Sequence, residues 1–354
     1  SDKTFFVGIK KLPPASYCII DLNSDSIKLE TRNYWNIEVQ GVCSYSEEDL
    51  AEQIRDLFFD SVKLRMRSDV PVGVLLSGGI DSSSIAAAMK HSIGNGSELK
   101  LISAVSNDSR YDESKYIDIM ADYLKVKVDK VPLVIEPDKI FDYISQTTWF
   151  NDEPIGSLSN VAHYLLMEKA KELGVTVILS GQGADELLCG YRKYLGFYIN
   201  QLYNSGHLIS AGRTIYGFLK QNTIINQFHI GEAGRYLPRF ADKTNMDIRG
   251  SALNEFSRAY LGLLSNQTVQ ERQLLDLTRF SVPVLTHYED RMSMAWSREI
   301  RVPFLDYRLV EKLIPLPIEY KLNQGWTKYI FRKAMEDHLP DQITWRKDKQ
   351  GFVN

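Results

Sequence analysis

The chain has 354 residues, 44% of them hydrophobic and 25% charged, with a formal net charge of −3. These are ordinary proportions for a globular protein, and the length allows two or three domains. A slightly acidic balance excludes binding driven by a basic surface, so neither nucleic acid nor an anionic membrane is an expected partner.

No apolar run approaches the roughly eighteen residues of a membrane span. The opening stretch SDKTFFVGIKKLPP lacks the long apolar core of a signal peptide. Cys18, Cys43 and Cys189 are odd in number and far apart, which suits neither a disulfide framework nor a zinc site. Reduced, buried thiols and a cytoplasmic setting are the expectation.

Residues 4–37 read as three short extended pieces, TFFVGI, SYCIIDL and KLETRNYWNI, broken by Pro13-Pro14 and Asn23-Ser24-Asp25. This is the pattern of a small β meander. Residues 46–67 then predict an amphipathic helix. Ser46 can cap it, acids crowd its first turn, and Leu50, Ile54, Leu57, Phe58 and Leu64 line one side.

The next stretch, PVGVLLSGGIDSSSIAAAMKHS at 71–92, organises the rest. Val72 to Leu76 has the length and bulk of a buried strand. Ser77-Gly78-Gly79-Ile80-Asp81-Ser82-Ser83 follows, then an Ala-rich helix. Adjacent glycines let the backbone approach a ligand, and Ser82 and Ser83 fall where a helix N-cap belongs. Strand, tight turn and helix N-terminus together make an anion site. The lysine of the usual phosphate loop is absent. Asp81 stands in the turn instead, so an anion there needs a cation such as Mg²⁺ between it and the carboxylate.

SGGIDSS resembles the pyrophosphate loop of the N-type ATP pyrophosphatases, and VLLSGGIDSS resembles their asparagine synthetase branch. The resemblance implies cleavage of ATP between its α and β phosphates, giving an acyl-adenylate and pyrophosphate. It extends backwards, because GIKKLPP and YW are similar to the last strands of the glutaminase domain that precedes the synthetase domain in this family. Ser1 is not the cysteine nucleophile of such a domain, so glutamine hydrolysis is not assigned to these residues.

Beyond the loop, strand and helix patterns alternate. Strands are expected at Leu99–Val105, Val126–Val131 and Val175–Leu179, and helices at 113–124, 137–147 and 161–173. Such alternation predicts an α/β fold, a mainly parallel sheet wrapped by helices. Ser77, Ser106 and Ser180 then share one rim at the carboxyl ends of strands, where ligands bind. Asn151-Asp152-Glu153-Pro154 either binds a substrate amine or forms a solvated loop.

A second bend, VTVILSGQGADELLCGY at 175–191, again runs from a buried strand through Ser-Gly to acids, Asp185 and Glu186. It resembles the family's S-G-E-G-x-D-E segment, except that the glutamate position is Gln182. In the family that glutamate is implicated in adenylation and in taking a proton from ammonia. An amide cannot act as a base at neutral pH, so ammonia as acceptor is weakened and the ATP chemistry is left intact.

YRKYLGFYINQLY reads as helical, and residues 222–255 show no clear period. Arg272 to Ser297, with Pro283 inside, predicts one or two helices. EDRMSMAWS and REIRVPFLD resemble the family's E-D-R-x-S-M-A and A-R-V-P-F-L-D segments. Phe304 and Leu305 are core candidates, and Arg301 is expected to pair with a carboxylate. His287 has no metal-spaced partner and reads as a packed helix histidine. Arg346, Lys347 and Lys349 either add positive charge near pyrophosphate or form a solvated edge.

The resemblance covers nearly the whole chain. It implies an adenine nucleotide α-hydrolase-like fold: a β remnant at 1–40, an ATP-pyrophosphatase core at 41–190, and a helical region at 191–354. It further implies that Ser77, Gly78, Gly79, Ser82 and Ser83 hold pyrophosphate, that Asp81 and Asp185 hold Mg²⁺, and that Lys328 offsets charge on the triphosphate. Leu76, Val105 and Gly181 match positions that contact adenosine, with Ser180 and Gln182 beside them. Asparagine formation from aspartate is the leading expectation, with glutamine-derived ammonia from a glutaminase domain or subunit, and with a homodimer among the open assemblies. The rival is amidation or cyclisation of another carboxylate: a sugar uronic acid, a lactam precursor or a peptide side chain. A catalytically silent nucleotide-binding module would not need Asp81, Asp185 and Lys328 together. A tRNA-modifying pyrophosphatase predicts a basic surface that is not there.

Overall fold

The computed structural model describes residues 3–21, 29–39, 45–94, 99–106, 108, 112–133, 137–223 and 267–347. The featureless stretch 222–255, apart from its first two residues, and Cys43 and Lys349 lie outside them.

The N-terminal part is a two-stranded antiparallel ribbon, β1 (Ser16–Ile20) and β2 (Leu29–Asn33), with Ser16 opposite Asn33 and Ile20 opposite Leu29. The expected first strand, TFFVGI, is instead a loop closed by a bridge between Lys3 and Lys10. Thr4 causes this: its hydroxyl accepts from the Phe6 N–H and donates to the Ile9 carbonyl, and Gly8 turns the chain at φ +80°.

α1 (Glu47–Arg65) begins where Ser46 accepts from the Asp49 N–H at 3.1 Å, with Glu47, Glu48 and Asp49 in its first turn and Lys63 and Arg65 in its last. Leu50, Ile54, Phe58 and Val62 recur every fourth residue and are fully buried.

Five parallel strands follow: β3 (Val72–Leu75), β4 (Lys100–Val105), β5 (Val128–Pro132), β6 (Val177–Leu179) and β7 (Glu299–Arg301). Their order is β5-β4-β3-β6-β7. Side chains alternate between two cores, as the two-residue period requires. Val74, Leu101, Val177 and Leu179 face one that includes α1 and α2 (Ile80–Ile93). Ile102 and Ile178 face the other, with Leu166, Met167 and Ala170 of α5 (Ser159–Glu172). α3 (Ser114–Leu124) and α4 (Ile140–Asn151) complete these layers.

The strand order changes direction at β3, which pairs with β4 on one side and β6 on the other. Such a switch point opens a crevice at the carboxyl ends of the strands. Both Ser-Gly bends leave from it.

The edge strand β7 was not marked by the sequence pattern. Three residues with charge at both ends carry no strand signature, yet β7 pairs in register with β6, Ile178 opposite Ile300. After β6 come α6 (Ala184–Leu187), α7 (Arg192–Asn204) and α8 (Leu208–Gln221). The Arg272–Ser297 pattern resolves into α9 (Val269–Leu275), a π turn (Asp276–Phe280) and α10 (Val282–Met294), with Pro283 in the first turn of α10. α11 (Tyr307–Leu313), α12 (Tyr329–Ala334) and α13 (Asp341–Thr344) follow. Phe304 is core as expected, whereas Leu305 is only half-buried and packs on Gly183. Among the described residues no helix is long and apolar enough to cross a membrane.

Candidate active site

The first bend is built from short polar contacts. The Ser77 N–H donates to Ser82 Oγ at 3.0 Å, the two hydroxyls lie 3.0 Å apart, and the Gly79 N–H reaches Ser77 Oγ at 3.4 Å. Gly78 takes φ +67°, and a Cβ there would lie 2.7 Å from Tyr116 Cβ, so both conformation and packing demand glycine. The N-cap of α2 is extended Gly79, not Ser82 or Ser83. Those serines fall inside the first turn because the helix starts with its N-cap three residues before Ser82. Ser82 Oγ is spent inside the loop, and buried Ser83 Oγ has no partner among the described residues. The first-turn N–H groups of α2 have no acceptor within the helix, which keeps the anion-site geometry.

The two bends touch. A Cβ on Gly181 would meet Asp81 Cβ at 3.2 Å. Leu76 is buried beneath the first bend, while Val105 and Ser106 sit half-buried at the end of β4. The second bend turns at Gly183, φ +90°.

Between the bends stands Lys328, 3% exposed. Its Nζ donates to both oxygens of Asp81, at 2.7 and 2.6 Å, and lies 2.6 Å from Asp185 Oδ1. Both carboxylates therefore converge on a single cation. Lys328 is the N-cap of α12 in the left-handed region, φ 56°, an unfavourable conformation for lysine; its N–H bonds to the Leu188 carbonyl at 3.2 Å.

Three further residues complete the site, and the sequence reading passed over two of them. Gly190 is the closest neighbour: a Cβ there would lie 1.8 Å from Asp185 Oδ1 and 2.5 Å from Lys328 Cε. Arg332, one turn after Lys328, is buried and donates to the carbonyls of Thr327 and Thr344. Burial pulls its guanidinium down to about 10 against the opposing pull of Asp81 and Asp185. Arg346, left open between loop and solvated edge, belongs to the loop. It donates to the Gly78 carbonyl at 3.2 Å and to Glu113 at 2.7 Å, with its guanidinium 3.6 Å from the Tyr116 ring centroid.

Around the second bend, Ser180 Oγ donates to Glu289 Oε1 at 2.6 Å, and Gln182 is hydrogen-bonded to the Tyr288 phenol. Burial pushes Glu289 up to about 7 against the Ser180 bond. Glu186 turns the other way, accepting from Ser281, and burial raises it. The Asn151–Pro154 loop is tied down: Asp152 pairs with Arg291, and Glu153 lies 3.5 Å from Lys11 and 3.4 Å from His287. His287 also contacts the Asn151 carbonyl at 3.0 Å, as a packed helix histidine should. Arg301 pairs with Glu299 and donates to the carbonyls of Arg65 and Arg67.

Two carboxylates aimed at one point suit Mg²⁺, which takes one or two protein carboxylates and completes its shell with water and phosphate oxygens. Among the described residues no group of three His, Cys, Asp or Glu could hold a metal unaided. A cation here therefore needs the ligand's own oxygens.

The family model described as Asparagine synthase matches residues 53–354. The chain belongs to the asparagine synthase family. Among curated proteins it is similar to Asparagine synthetase [glutamine-hydrolyzing] 1 of Bacillus subtilis, 28% identical over 99% of this chain and 56% of that one. It is also similar to Amidase chry2 of Gibberella zeae, 25% identical over 99% of this chain and 59% of that one. The chain thus spans a little over half the length of these relatives. Among solved structures it is similar to an NH3-dependent NAD synthetase from Campylobacter jejuni, with 18% identity and a TM-score of 0.26 over 42% of this chain and 62% of that one.

Proposed function

We propose that this chain forms an amide bond through an acyl-adenylate, releasing AMP and pyrophosphate from Mg-ATP. The observation that carries the reading is the convergence of Asp81 and Asp185 on Lys328 Nζ, 2.6–2.7 Å from each, between two Ser-Gly bends. Asp81 and Asp185 would hold Mg²⁺, which supplies charge neutralisation and alignment of the phosphate oxygens. The first-turn N–H groups of α2 with the Ser77–Ser82 bend receive the diphosphate tail. Lys328 supplies fixed positive charge where it builds at phosphorus; one such donor is typically worth ~10²–10³ in rate. Arg346 fixes the shape of the first bend, and Arg332 keeps the field around the two aspartates positive.

The acid is aspartate in the leading reading, with asparagine as product and ammonia as acceptor. Gln182 in place of a base favours a second reading, in which the acid or the amine differs, and relatives named as amidases support it. Hydroxylamine trapping separates the two. With Mg-ATP and a panel of aspartate, a uronic acid, an N-acyl amino acid and a peptide bearing a carboxylate side chain, the acid that yields a hydroxamate is the substrate class. Asp81→Asn abolishes pyrophosphate exchange with that acid while leaving the circular dichroism unchanged. Wild-type exchange in the variant removes Asp81 from the metal site.

A further inference from the structure

The amide of Gln182 cannot act as a base, and the amine that attacks the adenylate must lose a proton. Two buried carboxylate oxygens at the second bend have no hydrogen-bond partner among the described residues, Oε2 of Glu186 and Oε2 of Glu289. Glu186 is turned to Ser281, whereas Glu289 lines an apolar groove. Glu289 on α10 is 3% exposed and accepts one bond from Ser180 Oγ at 2.6 Å; its Oε2 has no hydrogen-bond partner among the described residues. An unpaired buried carboxylate oxygen is costly to keep. The residue before it, Tyr288, is hydrogen-bonded to Gln182 itself, so helix and bend meet at that position.

Glu289 also lines a cavity of about 550 Å³ against the β7 edge, whose other walls include Leu12, Pro14, Val282, His287 and Ile300. Largely apolar walls with one buried carboxylate suit a primary amine carrying an apolar substituent.

We infer that Glu289 accepts the proton of such a primary amine, delivered through this cavity, taking the role that Gln182 cannot fill. The inference rests on the acyl-adenylate reading above. In the step, the amine nitrogen bonds to the acyl carbon and the carbon–oxygen bond to phosphate breaks. AMP leaves with that electron pair, and the nitrogen's proton passes to Glu289 Oε2 and later to solvent. The groups around Glu289 do not compete for the role. The His163 ring bonds to the Glu289 carbonyl, and burial pulls it down to about 4, so it stays neutral. Burial raises Tyr288 to about 12. Glu153 and Asp152 from the end of α4 are occupied by His287 and Arg291, Asp290 is exposed, and Arg301 of β7 is bonded to carbonyls.

The test compares the wild-type chain with Glu289→Gln and Glu289→Asp. It uses Mg-ATP, the acid that supports exchange, and n-butylamine as the acceptor. Pyrophosphate exchange reports adenylation and amide formation reports the second step. In Glu289→Gln the ratio of amide formation to exchange falls ~10²-fold or more, the rise of amide formation with pH around 7 disappears, and Glu289→Asp restores part of both. Exchange and amide formation falling by the same factor assigns Glu289 a structural role and overturns the inference. So does an unchanged ratio. Absence of exchange in the wild type with every acid overturns the adenylate reading instead, and the role of Glu289 with it.

Discussion

Lys328 shows how much can rest on one side chain. It is buried, sits in the left-handed region, and is held between two aspartates. Lys328→Met leaves two partly buried like charges facing each other, so both melting temperature and pyrophosphate exchange fall, the latter by ~10²–10³; wild-type exchange in that variant would remove Lys328 from the chemistry. Gly190→Ala tests the same point sterically. Its Cβ would displace Asp185 and Lys328, so exchange falls at least ~10-fold, by the logic that a small misplacement of reacting groups is costly in rate. Glu289 carries a pH signature. Its folded value of about 7 lies above its ordinary 4.5, so between those values the folded state holds more protons than the unfolded one. Stability therefore declines as pH rises through that window, by on the order of 3 kcal/mol. Urea unfolding from pH 4.5 to 8 should show the decline, and Glu289→Gln should remove it.

The elements differ in how legibly they announced themselves. The first bend was readable because its parts are contiguous: strand, turn and helix start within a dozen residues, each with a local signature. The second was readable for the same reason. Gly190, Arg332 and Glu289 were not, because each acquires its role from a partner more than sixty residues away or from a close approach that only folding creates, and a buried charge has no periodicity. Strand β7 was hidden by its length and TFFVGI was overread, because a hydroxyl and a glycine closed it into a loop. Asp306, within the family's V-P-F-L-D run, belongs to this scale because it starts α11. Burial pushes it up, but hydrogen bonds from Arg308 and Arg65 outweigh that and hold it at about 2. Its contribution is fully present above about 4 and is lost as pH falls toward 2. Asp306→Asn should cost about 2 kcal/mol at neutral pH, and the difference from wild type should shrink in acid; a pH-independent difference would rule out the charge as its cause.

Across the whole molecule, the site depends on the two ends of the chain being packed together. Phe58 of α1 lies 4.8 Å from Phe304 and 5.1 Å from Phe331, centroid to centroid, and the latter two are 5.2 Å apart. This trio fastens the first helix to the turn after β7 and to α12, which carries Lys328. Phe58→Ala should cost ~3–5 kcal/mol, and pyrophosphate exchange should fall with it as α12 loosens; a large stability loss with wild-type exchange would uncouple the core from the site. A crevice that activates a carboxylate as an acyl-adenylate splits ATP between its α and β phosphates. Phosphorus NMR of Mg-ATP incubated with the chain and the acid panel measures this directly. AMP and pyrophosphate, formed only when an acid is present, are the predicted products. ADP and phosphate, or hydrolysis indifferent to the acid, would contradict the account.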